Sequence, residues 1–341
     1  QHDKVYEKVT SGSKGPASNV FTQLGMYWQL HLAYDRGYNY KTYADYTEQL
    51  ANLFFARVDT YARDQGKAPH PKVALALEGN RDQDLMRLAC AAAEKDILDF
   101  FERWGLTPNE GTRTYAGQFP KETRAIYYAN DEARVYSLES GGKSSLGTAG
   151  SVEAVGEVSA IKAAANRIDF NLSATIPQED VLGYEVVRCT ISGGKTIRET
   201  VGFTTGNTMS DIITTMNNRT VSYEVTVIDK YLNRSAVKTL EPLKIEHNGS
   251  LDKTFWTVET QNLKADGETA EPNEKDTVYC DPEEEEKITA KEKLIDNKAE
   301  TVYEATASGS PGRALSCGRS ALRAVVWKGC LLAGGQPGPG L

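Results

Sequence analysis

Apolar positions recur every three or four residues through the first third of the chain, and beyond it the period changes to two. Val20, Phe21, Leu24, Trp28 and Leu32 share one face of a helix. Ser18 and Asn19 before them are residue types that cap helix N-termini. Tyr46, Leu50, Leu53, Phe54, Val58 and Tyr61 repeat at a similar spacing. From about Asp82 a third helix places Leu85, Leu88, Ala89 and Ala92 on one side and breaks near Lys95 and Asp96. A short helix then presents Ile97, Phe100, Phe101 and Trp104. Gly105 closes it, because glycine takes the left-handed conformation of a C-cap without Cβ strain. Residues 18–135 thus read as helical, and helices this rich in aromatic side chains must pack against something large.

The composition becomes Gly/Ser-rich at 139–150, as in a linker. After it, apolar and polar residues alternate along Arg167–Leu172 and Tyr223–Val227, and Gly193–Gly194 supplies a turn between two such runs. Residues 150–242 read as an antiparallel β-sandwich. Strand signals continue weakly beyond, with Phe255–Val258 as one candidate. The acidic stretch 266–286, ending in Glu283–Glu286, reads as a solvated loop, since its carboxylates lack calcium-loop spacing. Residues 311–341 hold no Asp or Glu and read as an out-of-frame or disordered tail.

Hydrophobic residues make up 40% and charged residues 25% of 341, so most of the chain can bury cores. The net charge of -8 excludes a nucleic-acid partner, which needs a basic stripe. No apolar run of about 20 residues is present to form a membrane span. The chain opens at Gln1 without a signal-peptide pattern, and the expectation is that sequence upstream is missing. The five cysteines match neither a disulfide framework nor a metal pattern. Cys90, in an alanine-rich helix, reads as a buried thiol.

Three segments together resemble the enhancin-like zinc metallopeptidases (peptidase family M-60), known as mucin-degrading. They are residues 19–35 (NVFTQLGMYWQLHLAYD), residues 84–90 (DLMRLAC) leading into 96–106 (DILDFFERWGL), and residues 119–128 (FPKETRAIYY). The resemblance implies that 1–135 is the helical C-terminal part of a gluzincin-type peptidase domain, beyond the catalytic helix. Residues 136–149 would be a linker. The family's chemistry rests on HExxH plus a downstream Glu, in which two histidines one helical turn apart hold zinc and the Glu takes a proton from bound water. Among His2, His31, His70 and His247 no pair has that spacing. The resemblance therefore assigns zinc to the intact parent protein, and no catalytic or metal residue to this chain.

Residues 183–188 (GYEVVR) and 223–235 (YEVTVIDKYLNRS) resemble a fibronectin type III-like module, placed at 150–242, in which Asp229 and Asn233 would organise a turn. Residues 294–303 (LIDNKAETVY) resemble the early part of a discoidin-like carbohydrate-binding module, placed at 243–310. The succession implies a multidomain protein, secreted or at a bacterial cell surface, that meets mucin-like glycoproteins and glycans. The alternative is a non-catalytic glycan-binding surface protein or adhesin. Two residues stand out as substrate-cleft candidates. His31 would donate to a substrate carbonyl or sugar, against the blander reading of a hydrogen-bonded, partly buried histidine. Trp28 would stack on a sugar ring, against simple core packing.

Overall fold

The computed structural model describes residues 2–35, 53–64, 77–135, 142–148, 150–192, 194–214, 218–246, 256–263, 269–272, 312–317 and 320–325. Two compact units divide the chain: 1–159 with 171–209 and 221–242, and 160–170 with 210–220 and 243–341.

In the first unit the described helices are α1 (His2–Thr10), α2 (Val20–Tyr34), α3 (Phe54–Asp64), α4 (Arg81–Ala93), α5 (Leu98–Arg103) and α6 (Glu110–Ala116). Asparagines start three of them. The side chain of Asn19 accepts from the N–H groups of Phe21 and Thr22, Asn80 from Asp82 and Gln83, and Asn109 from Thr112. Helix α1 lies outside the stretch read as helical. It spans nine residues, too few for the period to repeat, yet it buries Val5, Tyr6 and Val9. Met26, Leu30, Met86, Cys90, Phe100, Phe101 and Trp104 join them in one core. Cys90 is a free, fully buried thiol, and burial pushes its pKa up to about 12.

Gly105 sits at φ +92 after α5, where an added Cβ would lie 2.5 Å from the Ser13 carbonyl oxygen and 2.6 Å from that of Gly15. Lys8 fixes this loop by donating to the carbonyls of Ser13 at 2.7 Å and Gly15 at 2.9 Å. Gly105→Ala is therefore expected to lower stability by about 1–3 kcal/mol, since strain and a backbone clash act together. Urea unfolding of the variant measures it, and an unchanged midpoint would contradict the close approach.

The first unit also holds an antiparallel sheet of order β4-β3-β6-β7, built from β3 (Val181–Ser192), β4 (Lys195–Thr204), β6 (Arg219–Asp229) and β7 (Lys238–Thr239). Strands β3 and β4 pair down to Ser192↔Lys195, and Gly194 between them has φ +76. Strands β3 and β6 bury both faces where they pair, at Tyr184, Glu185 and Val186 against Val225, Thr226 and Val227. One face meets the helical residues: the Tyr128 ring stacks on Phe203 at 4.0 Å, and Tyr6 meets Phe203 edge-on at 4.9 Å. Leu182, Phe203, Ile228 and Leu232 belong to the same core as the helices. The described part of the 136–149 stretch, residues 142–148, packs onto this sheet. Its Ser144 hydroxyl donates to Asp229, Ser145 donates to Asp180 at 2.9 Å, and Leu146 is buried. Asp229 in turn accepts from the N–H groups of Tyr231 and Asn233, each at 2.9 Å, which forms the turn expected after β6.

The second unit carries a sheet of order β1-β2-β5, with β1 (Ser159–Ala164), β2 (Arg167–Asn171) and β5 (Thr208–Ile212), and the short β8 (Leu243–Ile245). The alternation read in β2 holds, with Ile168 and Phe170 buried. A further antiparallel sheet has order β10-β9-β11-β12, from β9 (Trp256–Leu263), β10 (Thr269–Pro272), β11 (Gly312–Cys317) and β12 (Ser320–Val325). Two of these strands lie in the stretch read as an out-of-frame or disordered tail. Composition missed them because ladder pairing is a backbone property, and Gly312–Val325 contains no proline to interrupt it. Tyr46, Leu50, Glu283–Glu286 and the 294–303 run lie outside the described residues.

Candidate functional site

Helix α2 is apolar on two sides, and only one of them is covered. Met26, Gln29, Leu30, Leu32 and Ala33 face the core. The row that defined its period is mostly exposed: Val20 by 60%, Phe21 by 61%, Leu24 by 54% and Trp28 by 49%. Core packing of Trp28, the blander sequence reading, is thus not what the fold does with it. Leu32, the last of that row, is buried.

The inner side of α2 lies close to its neighbours at Gly25, where a Cβ would sit 2.6 Å from Val5 and 3.4 Å from the Trp104 ring. Gln29, one turn on, is buried with every part of its amide engaged. Its oxygen accepts from the Trp104 indole N–H at 2.9 Å. Its nitrogen donates to the carbonyls of Tyr127 at 2.6 Å and Ala129 at 3.4 Å.

The outer side lines a cleft of about 590 Å³ with Val5, Phe55, Ala129 and Asp131. Trp28 and His31, the two candidates from the sequence, are both in it, with ring centroids 5.0 Å apart and planes inclined by 31°. The Trp28 indole N–H donates to Asp131 Oδ1 at 3.2 Å. His31 is partly exposed, and its Nδ1 lies 3.9 Å from Asp35 Oδ2, beyond hydrogen-bond reach. Asp35 is buried and accepts from Phe54 N at 2.6 Å and Phe55 N at 3.4 Å, anchoring the start of α3. Burial raises its pKa, against the pull of those two N–H groups. Sequence reasoning missed Asp131 and Gln29. Asp131 sits in a loop 103 residues from Trp28 and has no local signature. Gln29 did carry one, a lone amide among apolar neighbours.

Among the described residues no group of three or more His, Cys, Asp or Glu is arranged to hold a metal ion, so these residues do not fit the zinc that the enhancin-like resemblance implies for the parent. Among them also, no helix is long and apolar enough to cross a membrane.

A scan of protein-family models finds no match, and a search of the curated proteins finds none. Solved structures do show similar chains. The M60 catalytic domain of Clostridium perfringens ZmpC, in complex with the sialyl T antigen, is 21% identical at a TM-score of 0.42, over 71% of this chain and 40% of that one. The catalytic module of the metalloprotease ZmpA from the same organism is 21% identical at 0.41, over 70% of this chain and 38% of that one. A Clostridium perfringens ZmpB structure with two CBM32 domains and the M60 domain is 24% identical at 0.42, over 71% and 21%. This chain spans less than half of each.

Proposed function

We propose that this chain is part of a secreted or surface-held bacterial zinc metallopeptidase of the enhancin-like class, acting on mucin-like glycoproteins, and that its helices form one wall of the substrate cleft. The observation that carries the reading is the convergence at Gln29. The three segments that bear the resemblance are far apart in sequence. Residues 19–35 supply Gln29 and Gly25, residues 96–106 supply Trp104, and residues 119–128 supply the Tyr127 carbonyl. Chance likeness gives separate segments no reason to share one buried hydrogen-bond centre.

In this reading Trp28 and His31 face substrate, and zinc belongs to the intact parent; no step of the zinc chemistry is assigned to residues of this chain. Residues 150–242 belong to a fibronectin type III-like module, a reading supported by the antiparallel strand set β4-β3-β6-β7 and by the Asp229 turn. Residues 243–310 begin a discoidin-like glycan-binding module.

The test is to read the gene on both sides of this frame and assay the longest encoded protein on mucin. An in-frame HExxH with a downstream Glu, and mucin cleavage abolished by a zinc chelator, are the expected results. A continuous upstream sequence without that motif, in a protein that binds mucin and leaves it intact, would establish the glycan-binding surface protein instead.

A further inference from the structure

We propose that the α2 cleft binds a long-stemmed cationic side chain of a peptide, arginine or lysine, with its stem along the aromatic wall and its charge at Asp131. The inference rests on the reading of this cleft as a substrate-facing wall and names what that wall takes; it does not depend on the zinc chemistry.

The lining sets the chemistry. Phe21, Tyr27, Trp28, His31 and Phe55 place five rings around a space of about 590 Å³, large enough for a long side chain together with the peptide backbone that carries it. Among the lining residues there is no Lys or Arg, and Asp131 is the one carboxylate. Aromatic faces attract cations through their quadrupole, and a guanidinium stacks flat on an indole. The methylenes of such a side chain cover apolar surface while its head stays at the polar rim. Leu24 and Val5 offer that surface, and Trp28 holds the carboxylate through its indole N–H.

A sugar fits the same lining less well. A saccharide needs several fixed donors and acceptors to match its hydroxyls. The Gln29 amide is already engaged with Trp104, Tyr127 and Ala129, which leaves the carboxylate, His31 and the Tyr27 hydroxyl as the polar groups of the lining.

The experiment titrates this chain with blocked tripeptides that have arginine, lysine, norleucine or glutamate between two alanines, and with N-acetylgalactosamine. Binding is followed on the Trp28 indole N–H resonance, assigned by its loss in Trp28→Phe. The arginine and lysine peptides are expected to shift it saturably and to bind at least roughly tenfold tighter than norleucine, the margin of a partly desolvated cation–π and charge contact. That margin should shrink as salt is added, a measurement on the unaltered chain. Asp131→Asn, with the remaining resonances unmoved, should remove most of it. Equal binding of norleucine and arginine, binding indifferent to salt, a shift with the sugar alone, or no shift with any probe would each overturn the proposal. No peptide is cut in this assay, so failure of the peptidase reading shows separately, in the mucin digest.

Discussion

Glu185→Ala is expected to lower the free energy of unfolding by about 2–4 kcal/mol, because it strips two partly buried arginines of the buried carboxylate they share. Glu185 accepts from the Tyr128 hydroxyl at 2.5 Å and from Arg234 Nη1 at 2.9 Å, and Arg103 Nη2 approaches to 3.5 Å. Both guanidiniums also lie over the Tyr127 ring, at 4.7 and 5.6 Å. The carboxylate thus ties α5, the 126–128 turn and the segment that follows β6 to the middle of β3. Its removal leaves both guanidiniums facing an aromatic cluster without the carboxylate they share. Glu185→Gln keeps the shape and separates charge from volume; most of the loss should persist in it. Chemical denaturation measures both, and a loss under about 1 kcal/mol for the alanine variant would mean that water already neutralises the arginines.

The same carboxylate sets an acid limit on the fold. Burial alone would raise its pKa, yet Arg234, Arg103 and the Tyr128 hydroxyl together hold it below its ordinary 4.5. A carboxyl whose folded pKa is depressed adds stability that is complete above the unfolded value and is lost as pH falls through the folded one. Stability should therefore decline below about pH 4.5, and the decline should be shallower in Glu185→Gln. Glu122 moves in the same direction: burial opposes the shift, while Arg124 and the Tyr34 hydroxyl lower it. Some acid sensitivity should therefore remain in the variant.

Trp104→Ala is expected to destabilise by about 3–5 kcal/mol, the range for deleting a buried indole. The ring is buried, contacts Gly25 of α2 and Phe100, and donates to Gln29. Its loss opens a cavity and leaves the Gln29 oxygen without its indole donor. Trp104→Phe retains much of the volume and loses only the hydrogen bond, so about 1–3 kcal/mol is expected there. Equal values for the two variants would show that the bond, rather than the volume, holds the helices. A near-silent Trp104→Ala would remove Gln29 as the centre on which the proposed function stands.

Local rules made several elements legible in the sequence. Asn19 before an apolar period marked the start of α2, Gly105 marked the end of α5, and Gly193–Gly194 marked the β3–β4 turn. Each depends on residues within a few positions of one another, so spacing alone carries it. The contact between the Trp28 and His31 rings is local in the same way, since positions three apart share a helix face.

What lay beyond reach depended on distant chain segments. The period of α2 named an apolar face but not its side, because both faces carry apolar residues, and α1, α5 and the 126–129 turn cover one of them and leave Val20, Phe21, Leu24 and Trp28 exposed. The composition break at 136–149 suggested separate bodies, whereas Tyr128, Phe203 and Glu185 join helices and sheet in one core. By itself the sequence determined the caps and turns that bound α2, α5 and the β3–β4 pair, because capping, turn geometry and period act locally. Only the tertiary structure decided which face of α2 is open, that Asp131 meets Trp28, and that three distant segments converge on Gln29, because burial and hydrogen bonding between segments depend on what folds over them.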